Sequence, residues 1–274
     1  GPSNIEGDNN HIYSELGFYN TQIGQAELLN RSVLTNEGKQ LVGDSLFYDR
    51  NKSFGEAFDN VVFTDTINKN QLTGNYCYYN EQTKYAIATD SAMVVDYSQG
   101  DSLFLHGDTL QLLTFFLDTG SMYRETRAYH KVRFFRTDIQ GVCDSLVFSQ
   151  KDTCLTMYRD PILWNGNQQL LGEEVMIYMN DSTIDWAHIH NQTLSVEKLD
   201  TTNYNQVSGK DMKAYFKDGE MYKVDVIASV RVIYYPMEKD STLMGMNVME
   251  GGELNMYLEN RKLTRGVMFP QPKG

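Results

Sequence analysis

Residues 43–63, GDSLFYDRNKSFGEAFDNVVF, set out a pattern of apolar and polar positions that the rest of the chain repeats. A glycine opens an alternating run in which Leu46 and Tyr48 share one face, because side chains of an extended strand point alternately to opposite sides. A polar break, DRNK, follows, then the small Ala57 and a short burst of Asn60, Val61, Val62 and Phe63. This order predicts a strand, a tight turn and a second strand.

The opening strand recurs as GNYCYY (74–79), GDTLQL (107–112), CDSLVF (143–148), GEEVMIY (172–178), GKDMKAYF (209–216) and GGELNMYL (251–258). The third residue after each opening position is Leu46, Cys77, Leu110, Leu146, Val175, Met212 and Leu254, at spacings of 31, 33, 36, 29, 37 and 42. Two places on stand Tyr48, Tyr79, Leu112, Phe148, Ile177, Ala214 and Met256, on the same face. Each strand runs into a turn sequence: DRNK (49–52), NEQTK (80–84), DTGS (118–121), SQKD (149–152), NDST (180–183), KDGE (217–220) and ENRK (259–262). Asp218-Gly219 is the strongest hairpin signal among them. The apolar burst returns as SAMVV (91–95), HKVRFF (130–135), PILW (161–164), VRVIYY (230–235) and GVMF (266–269), and weakly as NQTLSV (191–196). One stretch, 22–34, reads as a helix or equally as an eroded first repeat.

The few inward side chains of one unit cannot offset the conformational entropy of ordering thirty-odd residues, so neighbouring units must pair and share a core. Parallel β-helices favour shorter coils of ~20–25 residues. A soluble barrel closes with about eight to ten strands, where this pattern offers roughly fourteen to eighteen. The expected fold is therefore all-β: an elongated open antiparallel β-jelly roll of about seven loose repeats of 29 to 42 residues. The expected domains are an N-terminal segment, 1–19, partly disordered; a single jelly-roll domain, 20–270; and a tail, 271–274.

Composition agrees, with 18 Tyr and 13 Phe for strands and 21 Gly for turns. No run approaches the ~18–20 apolar residues of a membrane helix. The opening GPSNIEGDNN lacks the apolar core of a secretory leader, its Gly-Pro reads as an expression scar, and a removed leader leaves no trace. A net charge of -12 argues against a nucleic-acid partner. Residues 124–136 are a local exception, with Arg124, Arg127, Lys131, Arg133 and Arg136 against Glu125. Cys77, Cys143 and Cys154 fall inside strand-like runs and read as buried free thiols, with a Cys143–Cys154 disulfide as the alternative.

Candidate chemistry is sparse. His188 and His190 lie two apart and could share one face, but no third metal ligand stands at a fixed spacing, so they read as a surface pair and no metal is expected. Glu173 and Glu174 point to opposite faces and make a poor acid–base couple. Asp44, Asp108 and Asp144 recur too regularly for a catalytic set and suggest strand-entry hydrogen bonds to loop amides. No catalytic residue and no cofactor are expected.

The strand GDSLFYD, its charged turn, the small residue and the Asn60-Val61 pair together resemble the OstA-like family, as does AYHKVRFFRTDIQGVCDSLVF (128–148) most of all. That family includes the periplasmic bridge protein of lipopolysaccharide transport and the N-terminal domain of the outer-membrane protein that receives its cargo. The resemblance, over about residues 20–270, implies a non-enzymatic periplasmic protein that holds lipid acyl chains between two sheets. The lining it implies is Leu46, Tyr48, Phe63, Leu110, Leu112, Phe134, Leu146, Phe148, Trp164, Ile177 and Val232. Arg124, Arg127, Lys131 and Arg133 are then candidate phosphate contacts. The implied partners are lipopolysaccharide or a similar lipid, other envelope transport proteins paired at strand edges, and further copies head to tail. A scaffold or adhesin with a packed core, or a polysaccharide-acting β-helix enzyme, are the alternatives.

Overall fold

The computed structural model describes residues 2–6, 10–98, 101–137, 139–180, 183–218, 220–238, 242–260, 262–270 and 272–274. Gly219 and parts of the turns at 180–183 and 259–262 lie outside the described residues. Among these residues the chain forms twenty strands and no helix. It divides into two compact units, residues 1–137 and 138–274.

The first unit contains β1 (Ser3–Glu6), β2 (Asn10–Ser14), β3 (Leu16–Asn20), β4 (Gln25–Asn36), β5 (Lys39–Asp49), β6 (Phe54–Asp65), β7 (Asn70–Asn80), β8 (Tyr85–Asp96), β9 (Leu103–Phe116) and β10 (Met122–Phe135). From β4 to β10 each strand pairs antiparallel with the next. β2 and β3 both pair with β4, and β1 with β2, so strands also occupy the N-terminal segment, 1–19, expected to be partly disordered. Residues 25–36 form β4, which settles 22–34 as an eroded repeat in place of a helix.

The second unit contains β11 (Gln140–Ser149), β12 (Cys154–Tyr158), β13 (Ile162–Asn165), β14 (Gln168–Leu171), β15 (Glu174–Asn180), β16 (Thr183–Lys198), β17 (Tyr204–Lys217), β18 (Glu220–Tyr234), β19 (Asn247–Glu259) and β20 (Lys262–Phe269). β11 pairs with β12 and then β13; β15 and β14 both pair with β16; and β16 to β20 pair in succession. All of these pairs are antiparallel, as the jelly-roll pattern requires.

β4, β6, β8, β10, β16 and β18 are each creased at one place, and so is the link between β12 and β13. Two consecutive residues take left-handed backbone at Asn30-Arg31, Asp59-Asn60, Asp90-Ser91, His130-Lys131, Arg159-Asp160, Asn191-Gln192 and Ala228-Ser229. Left-handed geometry is costly for residues with a Cβ, and Asn and Asp bear it best. The cross-strand register slips at these places, for example between Val42 and Ser45 on β5 against Val62 and Phe58 on β6. An extra residue on one strand bends it, so each pair acts as a corner.

What holds the corners is burial on both sides. The residues two before and one after the pair are Ala57 and Val61, Ala88 and Ala92, Ala128 and Val132, Met157 and Pro161, Ile189 and Thr193, and Val226 and Val230, all buried. Leu46, Ala57 and Val61 pack with Leu28, Leu34, Leu41 and Cys77, joining residues from before and after the corner in one core. The glycines that open the repeats face these creases: Gly43 lies opposite Ser32, Gly74 opposite Val61 and Gly209 opposite Thr193. The need there is for space. A Cβ on Gly209 would stand 2.5 Å from Val226 Cγ1, and one on Gly172 2.5 Å from Ile189 Cγ2.

Turns between strands are closed by Asn and Asp side chains accepting backbone N–H bonds. Asp49 accepts from Lys52 at 3.0 Å, Asn80 from Thr83 at 2.9 Å and Asp200 from Asn203 at 2.8 Å.

Candidate functional site

Cross-strand register lines the repeated apolar residues up in rows. In the first unit Leu28, Leu46, Ala57, Cys77, Ala88, Leu110 and Ala128 are successive partners. In the second unit the row is Leu146, Met157, Val175, Ile189, Met212, Val226, Leu254 and Met268. A second row lies two residues farther from the corners: Tyr48, Gly55, Tyr79, Ala86 and Leu112 in one unit; Phe148, Leu155, Ile177, Ala187, Ala214, Val224 and Met256 in the other. Beyond the corners a third row of the first unit holds Leu34, Leu41, Phe63, Leu72, Val94, Leu105 and Phe134.

Ten of the eleven candidate lining residues fall on these rows or, for Val232, on the matching row of the second unit beside Val207 and Met249. Trp164 does not share their parity. The corner at Arg159-Asp160 sends Pro161 and Leu163 inward, both buried, and leaves Trp164 between Gln140 and Gln169. The rows also differ in depth. Tyr48 and Tyr79 remain 36% and 45% exposed, whereas Ile177, Ala214 and Val224 are buried.

The basic stretch of β10 is dispersed. Arg127 is drawn into an ion pair with Glu125 at 2.6 Å, which raises its already high pKa. Arg133 is exposed, one residue off the parity of Val132 and Phe134; Lys131 sits in the corner, and Arg124 lies near the far end of the strand. Two of the three recurring acids, Asp44 and Asp144, clasp corner side chains in place of the expected loop amides, and Glu173 does the same. Asp44 accepts from Asn60 Nδ2 at 2.7 Å and Arg31 Nη1 at 3.1 Å, Asp144 from Arg159 at 3.0 Å, and Glu173 from Gln192 at 2.8 Å. Those bonds, Asn60 first and then Arg31, hold the Asp44 carboxyl below its ordinary pKa.

The cysteines are free thiols. Burial pushes Cys77 up to about 11, and burial together with the Asp144 charge pushes Cys143 up to about 12. Cys143 stands where most repeats carry the corner glycine.

On the opposite face of the second unit, β16 and β17 bring together polar groups that sequence spacing does not reveal. Tyr178 and Trp186 stack at 4.1 Å with an interplanar angle of 5°. Beside them His188 and His190 share one side of β16, and Asp211 lies in register opposite His190 on β17. His188 Nε2 is 3.4 Å from Asp211 Oδ1, and His190 Nδ1 hydrogen-bonds the same oxygen. Burial, then the Lys213 charge, lowers the pKa of His188 against the pull of Asp211. Burial alone would raise Asp211, but its bond to His190 and the imidazole charges outweigh that and hold it low. An open hollow of ≈ 370 Å³ on this face is lined by residues including Cys154, Thr156, Met176 and Tyr178.

A family model described as "OstA-like protein" matches residues 4–97. The matched stretch lies wholly in the first unit, contains its first three corners, and ends upstream of 128–148. No curated protein matches the chain.

Proposed function

We propose, from the premise that residues 4–97 are an OstA-like segment, that the chain is a non-enzymatic carrier of lipopolysaccharide or a similar lipid in the periplasm of a Gram-negative envelope. Lipid A acyl chains would lie along the inward rows, and removing them from water would supply about 0.8 kcal/mol per methylene. The observation that carries this reading is the continuity of the apolar rows, strand after strand, combined with the half-open second row of the first unit at Tyr48 and Tyr79. Leu46, Leu110, Leu112, Phe63 and Phe134 are the lining residues of that unit. Leu146, Ile177 and Val232 are the corresponding residues of the second unit, but there the second row is buried at Ile177, Ala187, Ala214 and Val224, which favours a packed core and supports a scaffold role for that half. Phe148 completes the proposed lining, and Trp164, off the parity of the rows, is left out of it.

Lys131 and Arg133, both exposed, are the better candidates for lipid phosphates, since Arg127 is engaged by Glu125. Partner transport proteins, or a second copy head to tail, would add strands at β1 and β20. Among the described residues β1 pairs only with β2, and β20 only with β19.

Site-specific photocrosslinking tests the reading. Benzoylphenylalanine placed at Leu112 or Phe63 should capture lipopolysaccharide, whereas at Phe47, on the opposite face of β5, it should not. Equal capture at the three positions, or none at Leu112 and Phe63, overturns it.

A further inference from the structure

The outer face of β15–β17 carries a constellation independent of the lipid reading: two imidazoles and a carboxylate whose ligand atoms all lie within 4.8 Å of one another. We infer that His188 Nε2, His190 Nδ1 and an Asp211 carboxylate oxygen form a binding site for a borderline divalent transition metal, with Zn²⁺ the first candidate.

The donor set suits that class. Imidazole nitrogen and carboxylate oxygen bind zinc at ~2.0–2.2 Å, and three protein ligands leave a coordination position open. Two ligands at such distances in tetrahedral array stand about 3.3 Å apart. His188 Nε2 and Asp211 Oδ1 stand at 3.4 Å. His190 Nδ1 bonds the same Asp211 oxygen, so the three donor groups already converge, and an ion would replace that hydrogen bond as the ligands part to coordination distance.

The site is also held from outside. The backbone amide of Asn191, the first residue of the β16 corner, bonds Asp211. Trp186 lies 6.4 Å from the His188 ring at 30°, and the two imidazoles are 5.5 Å apart. His188 and Asp211 side chains are only 20% and 19% exposed, so their rotamers are restricted as those of metal ligands are. Glu174 occupies the register position on the other side of His190, where a carboxylate can serve as a further ligand. Lys213, in register with His188, opposes the cation.

The test uses the untagged, metal-stripped chain with a Trp164→Phe change, so that Trp186 is the remaining tryptophan. Zn²⁺ is titrated against a chromophoric chelator, and Cu²⁺ quenching of Trp186 emission reports location. One ion per chain should bind. His188→Ala and Asp211→Asn should each weaken binding at least tenfold and abolish the saturable quenching. Lys213→Ala should tighten binding severalfold, which a merely structural role for the cluster does not anticipate; circular dichroism on each variant confirms folding. Absence of saturable binding, or Zn²⁺ affinity unchanged in a folded His188→Ala, His190→Ala double variant, overturns the inference.

Discussion

The two units follow one plan of paired strands, left-handed creases and in-register rows, yet they fill it differently. Before the crease the first unit places Ala57, Ala88 and Ala128, where the second places Met157, Ile189 and Val226. Small residues let the two halves of a bent strand approach closely at the corner. They supply little bulk to close the space farther out, and Tyr48 and Tyr79 stay partly exposed there. The larger residues of the second unit carry burial outward to Ile177, Ala187, Ala214 and Val224. One scaffold thus supports a shallow interior and a deep one, the choice being made by side-chain volume at a single register position.

The contrast should be plainest in stability. Ile189→Ala, at a position with no exposure, should cost about 3–4 kcal/mol, whereas Leu112→Ala in the half-open row should cost about 1–2 kcal/mol; urea melts compare them. Comparable losses would mean that the rows are equally packed. Next come the glycines facing the creases. Gly209→Ala drives a Cβ to 2.5 Å from Val226 Cγ1 and should destabilise by about 1–3 kcal/mol, while on Gly107 the nearest atom is Tyr129 O at 3.4 Å and the same change should stay within ~0.5 kcal/mol of neutral.

Acid should loosen turns before cores. Asn203 and Thr202 hold Asp200 down at about 2, so its contribution is complete above the ordinary value of 3.8 and is lost as pH falls from there towards 2. Thermal melts between pH 5 and 2 should fall more gently in Asp200→Ala than in the parent chain. The smallest difference concerns thiols. Cys77, half-buried in the first unit, should react with an aromatic disulfide reagent faster than buried Cys143, as Cys77→Ala and Cys143→Ala variants would separate kinetically. Both thiols favour the folded state below about pH 9 and weaken it as pH rises towards 11 and 12.

Strands and turns were readable from the chain because alternation and turn chemistry are local properties. Leu46, Leu110, Leu146 and Val175 fall in register where their repeat positions predicted. The creases were opaque: Asn30-Arg31, His130-Lys131 and Ala228-Ser229 share no residue type, and none contains glycine. What they share is flanks that are buried or, at Leu28, half-buried, which only a three-dimensional neighbour supplies. Trp164 illustrates the penalty, since a crease misplaced by one residue reverses the face of everything that follows it. Asp211 was hidden for a related reason. It stands 21 residues from His190, and only the slipped register between Thr193 and His190 brings it opposite. Aligning WAHIH against DMKAY across a presumed ladder would have found it.

The pairing order has a bearing on how such chains lengthen and shorten. Among the described residues each strand of the first unit from β5 to β9 pairs only with its immediate predecessor and successor, and Ala57 meets Cys77 much as Ala88 meets Leu110. Excising a matched pair such as β7 and β8 would bring Ala57 against Leu110 with crease facing glycine as before. Growth by whole pairs is therefore nearly free of sequence adjustment, while an odd strand, lacking its crease, would leave a glycine facing nothing.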